Sequence, residues 1–136
     1  MFTDLSREDK ARRLFLVLRV SVAILIAAHG YTRLWADAVE PFGVWLNSQH
    51  IPFGTPVAYA VTFTEILGTP LLAAGRFVPV ICVIYSMIYS VGIVLVHAPE
   101  GWFVVGLGRN GMEYSVLLIL VLLCLAYWHA PEPSNN

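Results

Sequence analysis

Four long apolar runs, separated by short polar breaks, organise this chain: Leu14 to Leu34, Val57 to Ala74, Val80 to His97 and Met112 to Trp128. A helix needs about 20 apolar residues, within a range of about 17 to 25, to cross the hydrocarbon of a bilayer. The first run meets this comfortably and the last is short. The runs are continuous rather than alternating, which excludes barrel strands, and lipid offers no partners to an unpaired backbone. The pattern predicts an all-α integral membrane fold, a four-transmembrane-helix bundle over residues 14–128, with an arm at 1–13 and a tail at 129–136. The first run outlasts a signal-peptide core, and His29-Gly30-Tyr31 stands where small residues would mark cleavage, so it reads as a retained span.

The breaks between runs carry their own pattern. From Trp35 to Pro56 the chain is too long for a turn and too apolar to float in water. Within it Val39, Phe42, Trp45 and Leu46 share a helical face, with Pro41 near the start. A short interfacial helix in the first outer loop is expected. From Ala98 to Gly111 the segment mixes Trp102, Phe103, Val104 and Val105 with Gly101, Gly106, Gly108 and Gly111, which permit a tight path back over the bundle. Together the two segments would form a lid, or serve only as interfacial anchors.

Composition agrees with this class. Of the 136 residues 58% are apolar and 12% charged, against roughly a quarter charged in a soluble domain. Five basic residues, Arg7, Lys10, Arg12, Arg13 and Arg76, flank one side of the proposed spans, and Arg33 and Arg109 flank the other. The excess of Lys and Arg places both termini in the cytoplasm. Trp35, Trp45, Trp102 and Tyr114 then mark the outer interface, and Tyr127 and Trp128 the inner one. No basic patch suggests a nucleic acid partner.

Charges at membrane depth are costly enough that they usually mark function. Helical spacing gathers Thr62, Glu65 and Thr69 on one face of the second span, and Ser86, Ser90 and His97 on one face of the third, flanked by Tyr85 and Tyr89. By helical rise, His29 lies roughly 8 Å and Glu65 roughly 12 Å inside the outer edge, with Ser90 at a similar depth. His97 and Glu113 sit at the outer rim. These groups converge on a cavity opening outward or sideways into lipid. Glu65 and His29 are the candidate catalytic residues, and Arg19, Tyr89, Ser90, His97 and Glu113 the candidate cofactor-binding ones. Arg19, roughly 10 Å along the axis from Glu65 by the same rise, is expected either to pair with it across the helices or to snorkel toward the cytoplasmic headgroups. No Glu-x-x-His or similar spacing supports a metal site. Cys82 and Cys124 lack a Cys-x-x-Cys arrangement and read as small core residues.

Several segments are similar to those of a known family. Leu18-Arg19-Val20 followed by His29-Gly30 and Arg33-Leu34 resembles the opening of DoxX-family membrane proteins. Glu65-Ile66-Leu67-Gly68 with Gly75-Arg76 is similar to the family's second span, and His97, Gly101-Trp102-Phe103 and Gly111-Met112-Glu113 to its third-span exit and the start of its fourth. The family often has Lys where Arg33 stands, and a Gly-rich segment where this chain has Ala126-Tyr127-Trp128-His129. The resemblance implies a compact inner-membrane protein associated with redox metabolism, and the related DoxD proteins look like the membrane subunit of a thiosulfate:quinone oxidoreductase. The chemistry of the residues is compatible with a quinone, whose carbonyls need donors such as His29 and a Glu65 carboxyl kept protonated by burial, and whose tail needs an apolar slot. No electron carrier is visible, so a subunit with a membrane or redox protein partner is expected rather than a self-sufficient enzyme. The alternative is a non-catalytic scaffold, in which small residues pack against a partner or, in a homo-oligomer, a second copy.

Overall fold

The structure, a computed structural model, describes residues 6–106 and 108–131. The remainder of the expected arm and tail, at 1–5 and 132–136, lies outside the described residues. The first helix, α1 (Arg7–Trp35), begins earlier than the apolar run, because Ser6 caps it by accepting from the Asp9 amide and Glu8 pairs with Arg12 one turn on. A short α2 (Val39–Ser48) follows, then α3 (Gly54–Ala73) and α4 (Val78–Gly92). The chain continues from α4 as a π-turn (Ile93–His97) and a 3₁₀ turn (Ala98–Glu100) before α5 (Glu113–Trp128). All regular structure among the described residues is helical.

α1, α3 and the continuous stretch Val78–Glu100 are long and apolar enough to cross a membrane, whereas α5 is a shorter apolar helix of 16 residues. Large apolar side chains cover the outside: Ile24, Leu67, Met87 and Leu120 are all more than half exposed. That surface is an aggregation hazard in water and a match for lipid. The interior is smaller and mixed, with Ile26, Leu72, Cys82, Tyr85, Leu122 and Leu125 fully enclosed. Cys124, expected in the core, lies on the exposed face instead. It falls two positions after Leu122, and the α5 stripe that packs inward is Leu118, Leu122 and Leu125.

The bundle is built of two halves. α1 and α2 pack along α3, and α5 packs along α4, while α3 meets α4 and α1 meets α5 over shorter stretches. The halves are fastened at the end that carries both termini. There Phe15 stacks on Trp128 at 4.3 Å, and Arg19 reaches His129 at 2.9 Å. The turn between α3 and α4 passes through Gly75 at φ +76°, and a Cβ there would stand 2.8 Å from the Arg19 guanidinium. Further along, Tyr85 donates to the Thr64 carbonyl at 2.9 Å, packed over the bare Cα of Gly68. Toward the opposite end, here the loop end, the halves part and enclose a cavity.

Two local features shape α3. Pro70 lacks an N–H and leaves the Ile66 carbonyl open, and the Thr69 hydroxyl stands 3.4 Å from it while donating to the Glu65 carbonyl at 2.7 Å. Asn47 at the end of α2 accepts from the Gly54 amide at 2.8 Å, tying the loop to the start of α3. α2 occupies the position its spacing predicted, with Val39 and Leu46 buried against Ala58 and with Phe42 and Trp45 half-buried.

Candidate functional site

At the loop end, the helix register is set by one close approach. Gly30 on α1 lies so near α3 that a Cβ would stand 3.0 Å from the Glu65 Cβ and 3.1 Å from the Thr62 carbonyl. Arg33, one turn further along α1, therefore reaches α3 laterally. Its Nη1 donates to Glu65 Oε2 at 2.8 Å and to Thr62 Oγ1 at 3.1 Å. Thr62 passes its own proton to the Ala58 carbonyl at 2.7 Å, and Tyr89 on α4 donates to Glu65 Oε1 at 3.2 Å. Both carboxylate oxygens are thus engaged, one from each half of the bundle.

Glu65 is 2% exposed and the Arg33 side chain 18%. A carboxyl group buried so completely needs a cation and hydrogen bonds to offset its lost hydration, and it has both. The Arg33 guanidinium also lies over the Phe42 ring, 4.7 Å from its centroid, a cation–π contact supplied by α2. Both of its protein hydrogen bonds run through Nη1, so the N–H groups of Nε and Nη2 keep no protein acceptor among the described residues.

These residues form the polar end of a cavity of about 410 Å³ between the halves. α1 contributes His29 and Arg33; α2 contributes Phe42, Trp45 and Leu46; α3 contributes Val57, Val61 and Glu65. The opposing wall is Met87, Ile88, Tyr89, Val91 and Gly92 of α4, with Leu95, Val96 and His97 of the π-turn. The walls are apolar apart from the Arg33, Glu65, Tyr89, His29 and His97 groups, a composition typical of small-molecule sites. A π-turn adds a residue to one helical turn, and such turns often occur at functional sites. A shallower cleft on the other side of His29 and Arg33 is lined by Ala28, Thr32, Ala36 and Ala38.

The residues singled out from the sequence divide into two groups. Glu65, His29, Tyr89 and His97 line this cavity, His29 with its ring edge-on to Tyr89 at 6.4 Å between centroids. Ser90 is exposed and spends its hydroxyl on the Ser86 carbonyl at 2.7 Å. Glu113 accepts from the Val104 amide at 3.0 Å and fastens the loop before α5, outside the cavity. Arg19 lies at the opposite end of the bundle and does not pair with Glu65. Its partner is His129: the imidazole Nδ1 donates to the Leu125 carbonyl at 2.9 Å, which leaves Nε2 to accept from Arg19. Of the two alternatives for Arg19, the pair with Glu65 is not formed, and Arg33 stands against that acid instead. In the sequence Arg33 figures as a topology charge and in the family resemblance but not among the site residues, although its spacing of four from His29 places both on one face of α1.

The segment from Ala98 to Gly111 folds back on itself, as its glycines allow. Gly111, Met112 and Glu113 amides bond the carbonyls of Phe103, Gly101 and Trp102 at 3.0 to 3.1 Å. His97 Nδ1 meets the Asn110 carbonyl at 2.7 Å, which ties the π-turn to this loop. Among the described residues no three His, Cys, Asp or Glu side chains come together in the manner of a metal site.

An apolar helical bundle with a buried ion pair at the end of an apolar-walled cavity defines a membrane protein with a small-molecule-sized internal site. The DoxX family model matches residues 14–98, from α1 through the π-turn, and the chain belongs to the DoxX family. The matched region contains Arg33, Glu65, Tyr89 and the whole of the cavity wall. No curated protein and no solved structure matches the chain.

Proposed function

We propose that this DoxX-family protein is a subunit of a quinone-linked or redox complex of the inner membrane, and that its cavity holds the head of a quinone or of a lipid in its place. All four long apolar runs span the bilayer in this reading, α5 reaching across with its flanking residues, and both termini are cytoplasmic. α2 lies in the outer interface and covers the cavity. The observation that carries the reading is the lone polar end of an otherwise apolar cavity, where Arg33 keeps unused N–H groups. Carbonyl or hydroxyl oxygens of a ligand head would meet Arg33 and His29, while Glu65, itself bonded by Tyr89, holds Arg33 in place. The ion pair leaves the site near neutrality, which suits an uncharged head better than a second anion. Electrons would come from a membrane or redox protein partner.

The experiment is photo-crosslinking with an azido-substituted short-tailed ubiquinone analogue, followed by peptide mass spectrometry. Label on α2 and on the Met87–His97 stretch, lost in Arg33→Met, supports the reading. Label spread over the lipid-facing helices, unchanged by that substitution, overturns it.

One observation favours a second reading, a non-catalytic scaffold within a larger complex: the Glu65 carboxylate is already satisfied on both oxygens by groups of the chain itself. Gentle extraction separates the two. Stoichiometric quinone in the purified protein supports the redox reading, and a stoichiometric protein partner without quinone supports the scaffold.

A further inference from the structure

The chain has ten glycines, and the fold accounts for nine of them. Gly75, Gly101 and Gly106 adopt φ values of +76°, +90° and +90°, which side chains resist. At Gly30, Gly43, Gly54, Gly68, Gly108 and Gly111 an added Cβ would lie 3.0 Å or less from a neighbouring atom. Gly92 has neither reason. Its φ and ψ are −58° and −39°, ordinary for a helix, and nothing stands within 4 Å of where its Cβ would be.

Gly92 lies at the end of α4 within a continuous helical stretch, where glycine weakens a helix relative to alanine by about fivefold in the equilibrium constant. A residue that costs stability without easing a turn or a close contact leaves its empty volume as its remaining effect. That volume belongs to the cavity, since Gly92 lines it. Met87 and Val91 line the same cavity and are more than half exposed on the lipid-facing surface, so the cavity communicates with the bilayer along this side of α4. An occupant sliding in from lipid toward Arg33 passes Gly92.

We propose that Gly92 is the size-selecting residue of the cavity: the head of the occupant lies against its bare Cα, in the space a side chain would fill. This rests on the reading of the cavity as a ligand site. It adds which position decides how bulky a head is admitted, and that α4 is the side of admission.

The test uses the full chain in detergent, with Gly92→Ala, Gly92→Val and Gly92→Leu. Binding of a short-tailed ubiquinone analogue is followed by quenching of tryptophan fluorescence, because Trp45 lines the cavity. Affinity should fall with side-chain volume, by more than about tenfold at Leu, a magnitude in keeping with one or two surplus methyl groups in a tight pocket. The unfolding temperature of the ligand-free protein should stay level or rise. An analogue of the same tail without the ring methoxy groups should regain affinity for Gly92→Ala relative to the parent compound, a result that a merely structural role would not produce. Wild-type affinity in Gly92→Leu overturns the proposal. So does a lowered unfolding temperature in Gly92→Ala, which would assign the glycine to the π-turn that begins at Ile93. If the wild-type protein binds no analogue, the reading of the cavity itself fails, and the selector with it.

Discussion

Arg33 on α1 and Glu65 on α3 form a 2.8 Å ion pair at the loop end of the bundle, and the Glu65 partner is 2% exposed. The two residues are brought together by Gly30, whose missing side chain lets α1 lie against α3 at that level. The pair fixes the polar end of the cavity and, through Tyr89, bridges the two halves.

Breaking it one side at a time should be costly. Arg33→Met leaves a buried carboxylate without its cation, and Glu65→Leu leaves the guanidinium without its anion. Each should lower stability by about 3 to 5 kcal/mol, whereas the double replacement should be close to neutral. Unfolding of the four proteins in mixed detergent micelles gives the coupling directly. Additive losses would show that the pair contributes little.

Gly30→Val should destabilise by about 1 to 3 kcal/mol, through overpacking against Glu65 and Thr62. Because the strain is relieved by moving α1 away from α3, the same substitution should weaken the Arg33 contact. Adding Gly30→Val to Arg33→Met should therefore cost less than the separate losses combined. Thermal unfolding of the single and double variants checks this.

At the terminus-bearing end, His129→Ala should lower stability by about 1 to 2 kcal/mol, because Arg19 loses its acceptor while its Nε is already buried without a partner. Gly75→Ala should act in the same direction, since it forces a side chain onto φ +76° and toward the guanidinium. Neither change touches the loop-end cavity, so affinity for the quinone analogue should be unaltered. A matching loss of affinity would show that the two ends are coupled.

The proposed topology puts the α2 end and the loop before α5 outside. In a background with Cys82→Ala and Cys124→Ala, a membrane-impermeant thiol reagent should label Asn47→Cys or Asn110→Cys in intact cells. Labelling of Asn135→Cys under the same conditions would reverse the orientation.

The helical class, the long spans and α2 were legible in the sequence because each depends on local facts: length of apolar run, periodicity of 3.6, and the intolerance of lipid for an unpaired backbone. The placement of Glu65 on an inward polar face was legible for the same reason. The partner of that acid was not. Gly75 packs against Arg19, and it stands ten residues from Glu65 along α3 and its turn, about 15 Å by helical rise. Axial register between α1 and α3 therefore puts Arg19 out of reach and Arg33 within it. That register is decided by how Gly30 meets α3, a contact between residues more than thirty positions apart, which no pattern within one helix encodes. Ser90 shows the other limit. A face drawn at helical spacing joined Ser86, Ser90 and His97, but the rotation of α4 that packs Tyr85 and Tyr89 inward leaves Ser90 outside, and the π-turn alters the phase before His97 is reached. Sequence periodicity determines which residues share a face; only packing between helices decides which way that face turns and at what height it meets its neighbours.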